Sequence, residues 1–334
     1  MLKSYKLLFF FSLIMGSLIA MSAVSWISMW MGLEINLLSI IPLLSDDKNF
    51  YPSESALKYF ITQALASTIL LFALLVNLNM HEMLNNNQNY MYEMIFNSSL
   101  LMKMGAAPFH AWFPEVMSGL NWFMCLIMLT WQKLAPMIIL LYSTKPTLFM
   151  STIVLFSATV GGIMGINQVD LRKIMAYSSI NHIGWMISSM FNSQSIWLIY
   201  FFVYSVISIN IVVILSLMAI YQLKQLFISM KFNIMVKFFF ILNFLSLGGL
   251  PPFLGFFPKW LVINNLVQNK FFMVSVMLIL TTLITLFFYL RITFSTMTIK
   301  SQESMTHPPK SKMFYIIFLN SISLAGLAMC TLPL

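Results

Sequence analysis

Between Lys6 and Asp46 the chain carries a single charged side chain, Glu34, in an otherwise apolar stretch. Lys133 is likewise alone between Glu115 and Lys145, and Lys259 is alone between Lys237 and Lys270. A fourth charge, Lys103, lies in LMKMGAAPFHAWFP, an apolar run interrupted by Gly105, Pro108 and Pro114. Runs of this length without alternation restrict the fold to an all-α polytopic membrane protein, because only helices and closed barrels satisfy their backbone in hydrocarbon. Composition agrees. The chain is 60% hydrophobic and 8% charged, with 31 phenylalanines, against about 25% charged residues in an ordinary globular domain.

A charge near the bilayer centre costs roughly 2.5–3.5 kcal/mol, so four left unpaired would cost about 10–14 kcal/mol. A chain that keeps them points to the handling of ions or protons. The net charge of +9 does not indicate nucleic acid, since the basic residues are dispersed through short connections. The start, MLKSYKLLFFFSLIMGSLIAMSAVSW, runs straight into a second apolar span, which argues against a cleavable signal followed by a soluble domain.

At about 20 apolar residues per crossing, about eleven spans are predicted. They cover 5–22, 24–44, 54–79, 91–119 (broken), 121–142, 147–167, 171–191, 195–221, 234–268 (broken), 271–295 and 313–333. This count sorts the connections by charge. Apart from Lys103, Lys133 and Lys259, only Lys145 and Lys270 fall on the side opposite the N-terminus; every other Lys and Arg falls with it. The bias predicts an N-terminus on the cytoplasm- or matrix-like side.

The chain also repeats a motif. Gly105–Pro114 and Gly249–Pro258 share the pattern G-x-x-P-F-x-x-x-F-P, each inside an apolar segment too long for one straight crossing. They fall on the fourth and ninth predicted spans, and an odd spacing means opposite crossing directions. Inverted repeats with discontinuous helices are the expectation, and helix breaks at membrane depth line protein or water-filled cavities. The domain reading is one transmembrane domain, 1–334. It comprises a first repeat at 1–146 broken near 105–114, a second at 147–297 broken near 249–258, and a C-terminal loop and last helix at 298–334. Two proline kinks would be the simpler alternative.

Each charge has a structural alternative. Glu34 could be an interhelical hydrogen-bonding group, but its isolation at mid-span favours function. Lys133 is too central to reach an interface by snorkelling. Lys103 lies two residues before Gly105, where a helix break offers polar backbone, and Lys259 follows Pro258 and could be interfacial. Glu115, after Pro114, reads as structural. His182 shares a helix with Ser178 and Ser179, and could relay protons or join helices. His110 reads as a polar group satisfied by exposed backbone, while His81 and His307 fall in connections.

Other chemistries are not suggested. Cys125 and Cys330 lack iron–sulfur or zinc spacing, His81-Glu82 lacks a second histidine, and GGLPPFLG is no phosphate loop. Gly161-Gly162-Ile-Met-Gly165 reads as a helix-packing face.

The segments GLEIN (32–36), KYFITQALAS (58–67), LMKMGAAPFHAWFPEV (101–116), WQKLAP (131–136), LRKIMAYSSINHIGW (171–185) and GGLPPFLGFFPKW (248–260) resemble the NADH dehydrogenase subunit 2 family. These are the mitochondrially encoded, antiporter-like membrane subunits of respiratory complex I. The resemblance covers essentially the full length. It implies the shortened animal form, without the first three of fourteen helices, and 29 methionines fit an insect-like gene. It further implies proton transfer by Glu34, Lys103, Lys133 and Lys259, the residues that isolation in the apolar spans had singled out, with His182 in a hydrated central region. Quinone reduction elsewhere would drive the relay. No cofactor is implied in this chain; FMN, iron–sulfur clusters and ubiquinone would reside in partner subunits. The implied partners are other membrane-arm subunits and lipids, with protons as the transported species and no nucleic acid. The implied location is the mitochondrial inner membrane, with the N-terminus on the matrix side. A stand-alone or Mrp-type cation/proton antiporter would share the fold, and a purely structural assembly subunit is the alternative of another class.

Overall fold

The computed structural model describes residues 4–45, 50–80, 86–144, 146–230, 234–251, 253–298 and 320–321. Within them the chain is helical, in two compact units at Met1–Met150 and Ser151–Leu334. The first holds α1 (Ser4–Ser22), α2 (Trp26–Leu44), α3 (Phe50–Met80), α4 (Asn86–Met104), α5 (Trp112–Gly119), α6 (Trp122–Leu129) and α7 (Trp131–Ser143). After α8 (Leu148–Ile166), which begins at the boundary, the second holds α9 (Leu171–Met190), α10 (Gln194–Leu217), α11 (Leu223–Ser229), α12 (Ile234–Gly248), α13 (Phe256–Gln268) and α14 (Phe272–Thr298). Among the described residues, seven helical stretches are long and apolar enough to cross a membrane.

The expected spans map onto these elements as far as residue 298. The eleventh, 313–333, lies outside the described residues apart from Asn320 and Ser321, as do His81, His307, Cys330 and several basic residues of the charge-bias argument, among them Lys145. Both expected breaks are present. The run 91–119 divides into α4 and α5, and 234–268 divides into α12 and α13. A third discontinuity, not foreseen, separates α6 from α7 at Thr130 (φ −115°, ψ −72°). Pro136 lies further on, inside α7, where it cannot donate a backbone hydrogen bond.

Small residues set the helix spacing. α1 packs along α2, and a Cβ on Gly32 would lie 2.6 Å from the Ala20 backbone nitrogen. That proximity fixes the helix carrying Glu34, as expected when packing rather than a hydrophobic driving force holds membrane helices together. The run Gly161–Gly165 does serve as a packing face: Gly161 abuts the Asn181 backbone on α9, and Gly165 abuts Phe288 on α14. α9 is buried along nearly its whole length, so its polar residues face other helices rather than lipid.

Candidate functional site

The first break begins where α4 ends at Met104. Gly105 adopts φ +76°, a left-handed conformation that glycine tolerates without Cβ strain. Its amide donates to Met102 O at 3.2 Å, and Ala106 N donates to Leu101 O at 3.0 Å. That pairing is the Schellman cap, which consumes carbonyls left over at a helix end. Two side chains add donors at the same helix end. Trp112 Nε1 donates to Met102 O at 3.1 Å, and Gln63 Nε2 of α3 donates to Lys103 O at 3.3 Å.

Lys103 therefore stands in the last turn of α4, only 8% exposed. A cation suits the negative end of a helix dipole. Its ammonium interacts electrostatically with Glu34 of α2 without closing to an ion pair. Glu34 Oε1 is itself buried and has no hydrogen-bond partner among the described residues. A small polar cavity adjoins Lys103, walled by Asn36, Tyr59, Gln63 and Gln132 together with Leu33, Leu37 and Pro136. Gln132 Nε2 donates to Asn36 Oδ1 at 2.8 Å across it, so α2 and α7 are tied beside the lysine. In the next residue, Lys133, 2% exposed, the ammonium lies 5.3 Å from the Phe113 ring centroid. Attraction to an aromatic face is one of the few interactions that stabilise an ammonium away from water. Glu34, Lys103 and Lys133 thus share the interior of the first unit.

Glu115 turns elsewhere. It pairs with Lys58 at 3.1 Å, as Glu54 does, and the pair ties α5 to the exposed edge of α3.

The second break repeats the backbone. Gly249 has φ +74°; its amide donates to Ser246 O at 3.0 Å, and Leu250 N donates to Leu245 O at 3.3 Å. Lys259, on the first turn of α13 and 6% exposed, reaches back across it. Its ammonium donates to Leu247 O at 3.2 Å and Gly248 O at 3.0 Å, and lies 5.9 Å from the Trp185 ring centroid. Beside it on α9 is His182, 4% exposed, with Nδ1 2.9 Å from the Tyr200 hydroxyl. His110, by contrast, stands within the first break with Nδ1 3.2 Å from Pro108 O, satisfied by backbone as expected. Sequence reasoning passed over Gln63, Asn36, Trp112 and Tyr200. A polar or amphipathic residue inside an apolar span was the available signal for each.

Buried cations at discontinuous helices, in an all-helical membrane chain, define an antiporter-like membrane subunit. The fold agrees: "Respiratory complex I from Thermus thermophilus with bound Aureothin" contains a chain that superposes with a TM-score of 0.86 at 22% identity, over 99% of this chain and 79% of that one. Residues 23–285 match the family described as NADH:quinone oxidoreductase/Mrp antiporter, TM. NADH-ubiquinone oxidoreductase chain 2 of Anopheles gambiae is 46% identical over 97% of this chain and 96% of its own length. The Locusta migratoria protein of the same name is 45% identical over 98% and 96%. The chain belongs to the NADH-ubiquinone oxidoreductase chain 2 family.

Proposed function

We propose that this chain is a proton-translocating membrane-arm subunit of NADH:ubiquinone oxidoreductase in the mitochondrial inner membrane, moving protons through Glu34, Lys103, Lys133 and Lys259. The observation that carries the reading is the interior placement of three lysines in a membrane protein, one of them within electrostatic reach of Glu34, whose Oε1 is buried. Its partners are the other membrane-arm subunits and the surrounding lipid. FMN, iron–sulfur clusters and ubiquinone belong to those partners, so this chain contributes proton transfer and no redox step. The charge bias of the connections supports an N-terminus on the matrix side.

The magnitudes are compatible. Moving a charge against about 150–200 mV requires roughly 3.5–4.6 kcal/mol. Closing a carboxylate–ammonium pair to about 4 Å at an effective dielectric near 20 is worth about 4 kcal/mol. Bringing Glu34 into contact with Lys103 and withdrawing it is therefore a swing of the required size: the carboxylate holds a proton on the lysine, and its departure releases one. Lys133 relays that proton, and Lys259 exchanges it with one side or with a neighbouring subunit. Conformational change driven by quinone reduction supplies the free energy.

Two measurements test this. In a mild-detergent native gel stained for NADH oxidation, peptides of this chain should co-migrate with the large NADH-oxidising band; recovery only in a small inactive assembly would favour an independent antiporter. In the assembled complex, Lys103→Met should abolish coupled proton pumping. Pumping that survives at the original ratio per electron would leave a structural subunit as the better description.

A further inference from the structure

Lys133 stands on the first turn after the unforeseen discontinuity, and that turn is tied to other helices. α6 closes at Thr130, whose amide donates to Leu126 O at 3.0 Å and whose hydroxyl donates to the same carbonyl at 2.8 Å. Thr130 thus caps α6 and makes no side-chain bond to the start of α7. The tie across the joint is a 3.2 Å bond from Lys133 N to Thr130 O. Two side chains anchor the same turn elsewhere. Trp131 Nε1 donates to Ser17 Oγ of α1 at 3.1 Å, and Gln132 Nε2 donates to Asn36 Oδ1 of α2 at 2.8 Å. Both acceptors belong to one closely packed helix pair. A Cβ on Gly16 would lie 2.8 Å from the Asn36 backbone nitrogen, and one on Gly32 would lie 2.6 Å from the Ala20 nitrogen. Amide side chains often join membrane helices. What distinguishes this bond is its attachment, two residues from Glu34 on one helix and one residue from Lys133 on the other, beside the Lys103 cavity.

We infer that Asn36 and Gln132 are positioning residues, a latch that makes the first turn of α7 follow α2, so that Lys133 moves with Glu34 rather than with α6. The inference rests on the proton-transfer reading above. Glu34 and Asn36 lie on consecutive turns of one helix, so a shift of α2 that brings the carboxylate towards Lys103 carries Asn36 with it. Through Gln132 the shift reaches Lys133, and the Trp131 bond to Ser17 keeps α1 in the same moving body. The joint at Thr130 absorbs the difference from α6, since the regular helical ladder is already interrupted there. The departure of Glu34 that releases the Lys103 proton is then the same motion that positions Lys133 to receive it.

The test is a length swap in the assembled complex, read as protons moved per electron in sealed vesicles alongside NADH oxidation. Gln132→Asn shortens the reach to α2 and should lower protons per electron at least threefold while NADH oxidation continues. Combining it with Asn36→Gln restores the summed length of the two side chains and should recover at least half of that loss. A bond that only holds helices together would change how much complex assembles, not this ratio. An unchanged ratio in Gln132→Asn, or a loss that the double variant does not recover, would overturn the inference. Should Gln132→Asn not assemble, Trp131→Phe decides instead. It removes the donor to Ser17, keeps an aromatic ring, and must lower the ratio; a normal ratio would refute the latch. Lys103→Met separates the two levels. If it abolishes pumping while Gln132→Asn leaves the ratio unchanged, only this inference fails; if it leaves pumping intact, the functional reading beneath it fails as well.

Discussion

At the first helix break the side-chain donors to the end of α4 are neutral, Trp112 to Met102 O and Gln63 to Lys103 O; at the second, the Leu247 and Gly248 carbonyls at the end of α12 are met by the Lys259 ammonium. The two breaks align residue for residue on Gly105 and Gly249. In that alignment Lys103 corresponds to Leu247, and Glu115 corresponds to Lys259. The backbone caps are the same, and the cation has moved from before the break to after it. The consequence is a division of labour. Lys103 carries a charge that no helix end needs for its hydrogen bonds, which leaves its ammonium to Glu34. Lys259 donates to the carbonyls of its own break, so its ammonium also serves the fold.

The comparison breaks most sharply on the lysines. Lys103→Met should abolish coupled pumping, a loss of tenfold or more in proton flux from vesicles, while thermal unfolding of the detergent-solubilised complex moves little. Lys259→Met should cost pumping and stability together. Hydrogen bonds to charged groups contribute about 1.5–3 kcal/mol, and two carbonyls would lose their donor, so a lowered melting temperature or reduced assembly is expected. If the two variants destabilise equally, the division of labour is wrong.

Glycine substitutions sharpen it further. Either Gly105→Ala or Gly249→Ala places a Cβ at positive φ, at a cost of roughly 1–2 kcal/mol. Gly249→Ala should be worse, because the new Cβ would lie 2.8 Å from Lys259 Cδ, whereas at Gly105 the nearest atom is Phe113 Cβ at 3.2 Å. It should also lower pumping by shifting the lysine, and the ranking is checked by paired thermal melts and proton flux. The smallest effect belongs to Glu115→Gln. Its pair with Lys58 is exposed, and exposed pairs contribute little. Pumping should be unchanged and any loss of stability barely measurable; a pumping defect there would bring Glu115 into the proton path.

Much of this was legible beforehand, for identifiable reasons. Glu34, Lys103, Lys133 and Lys259 could be picked out because a charge in an apolar span is expensive wherever it points. The two breaks were readable because glycine and proline alter the backbone locally, whatever surrounds them. The break at Thr130 was not: no glycine marks it, and Pro136 lies more than a turn away. Nor was the role of Lys259 legible. Its position after Pro258 read as potentially interfacial, and only the return of α13 against the end of α12 buries it.

Sequence alone determined that the chain is a helical membrane protein, where its long helices fracture, and which ionisable groups lie inside. Those properties follow from composition along a single strand, from transfer energies and from local backbone chemistry. Tertiary structure decided which carbonyls each cation or neutral donor meets, that Gln132 and Asn36 join beside Lys103, and that Tyr200 stands against His182. These contacts link residues on different helices, and their existence depends on how closely the helices approach, which small residues such as Gly32 and Gly161 permit but no single segment specifies.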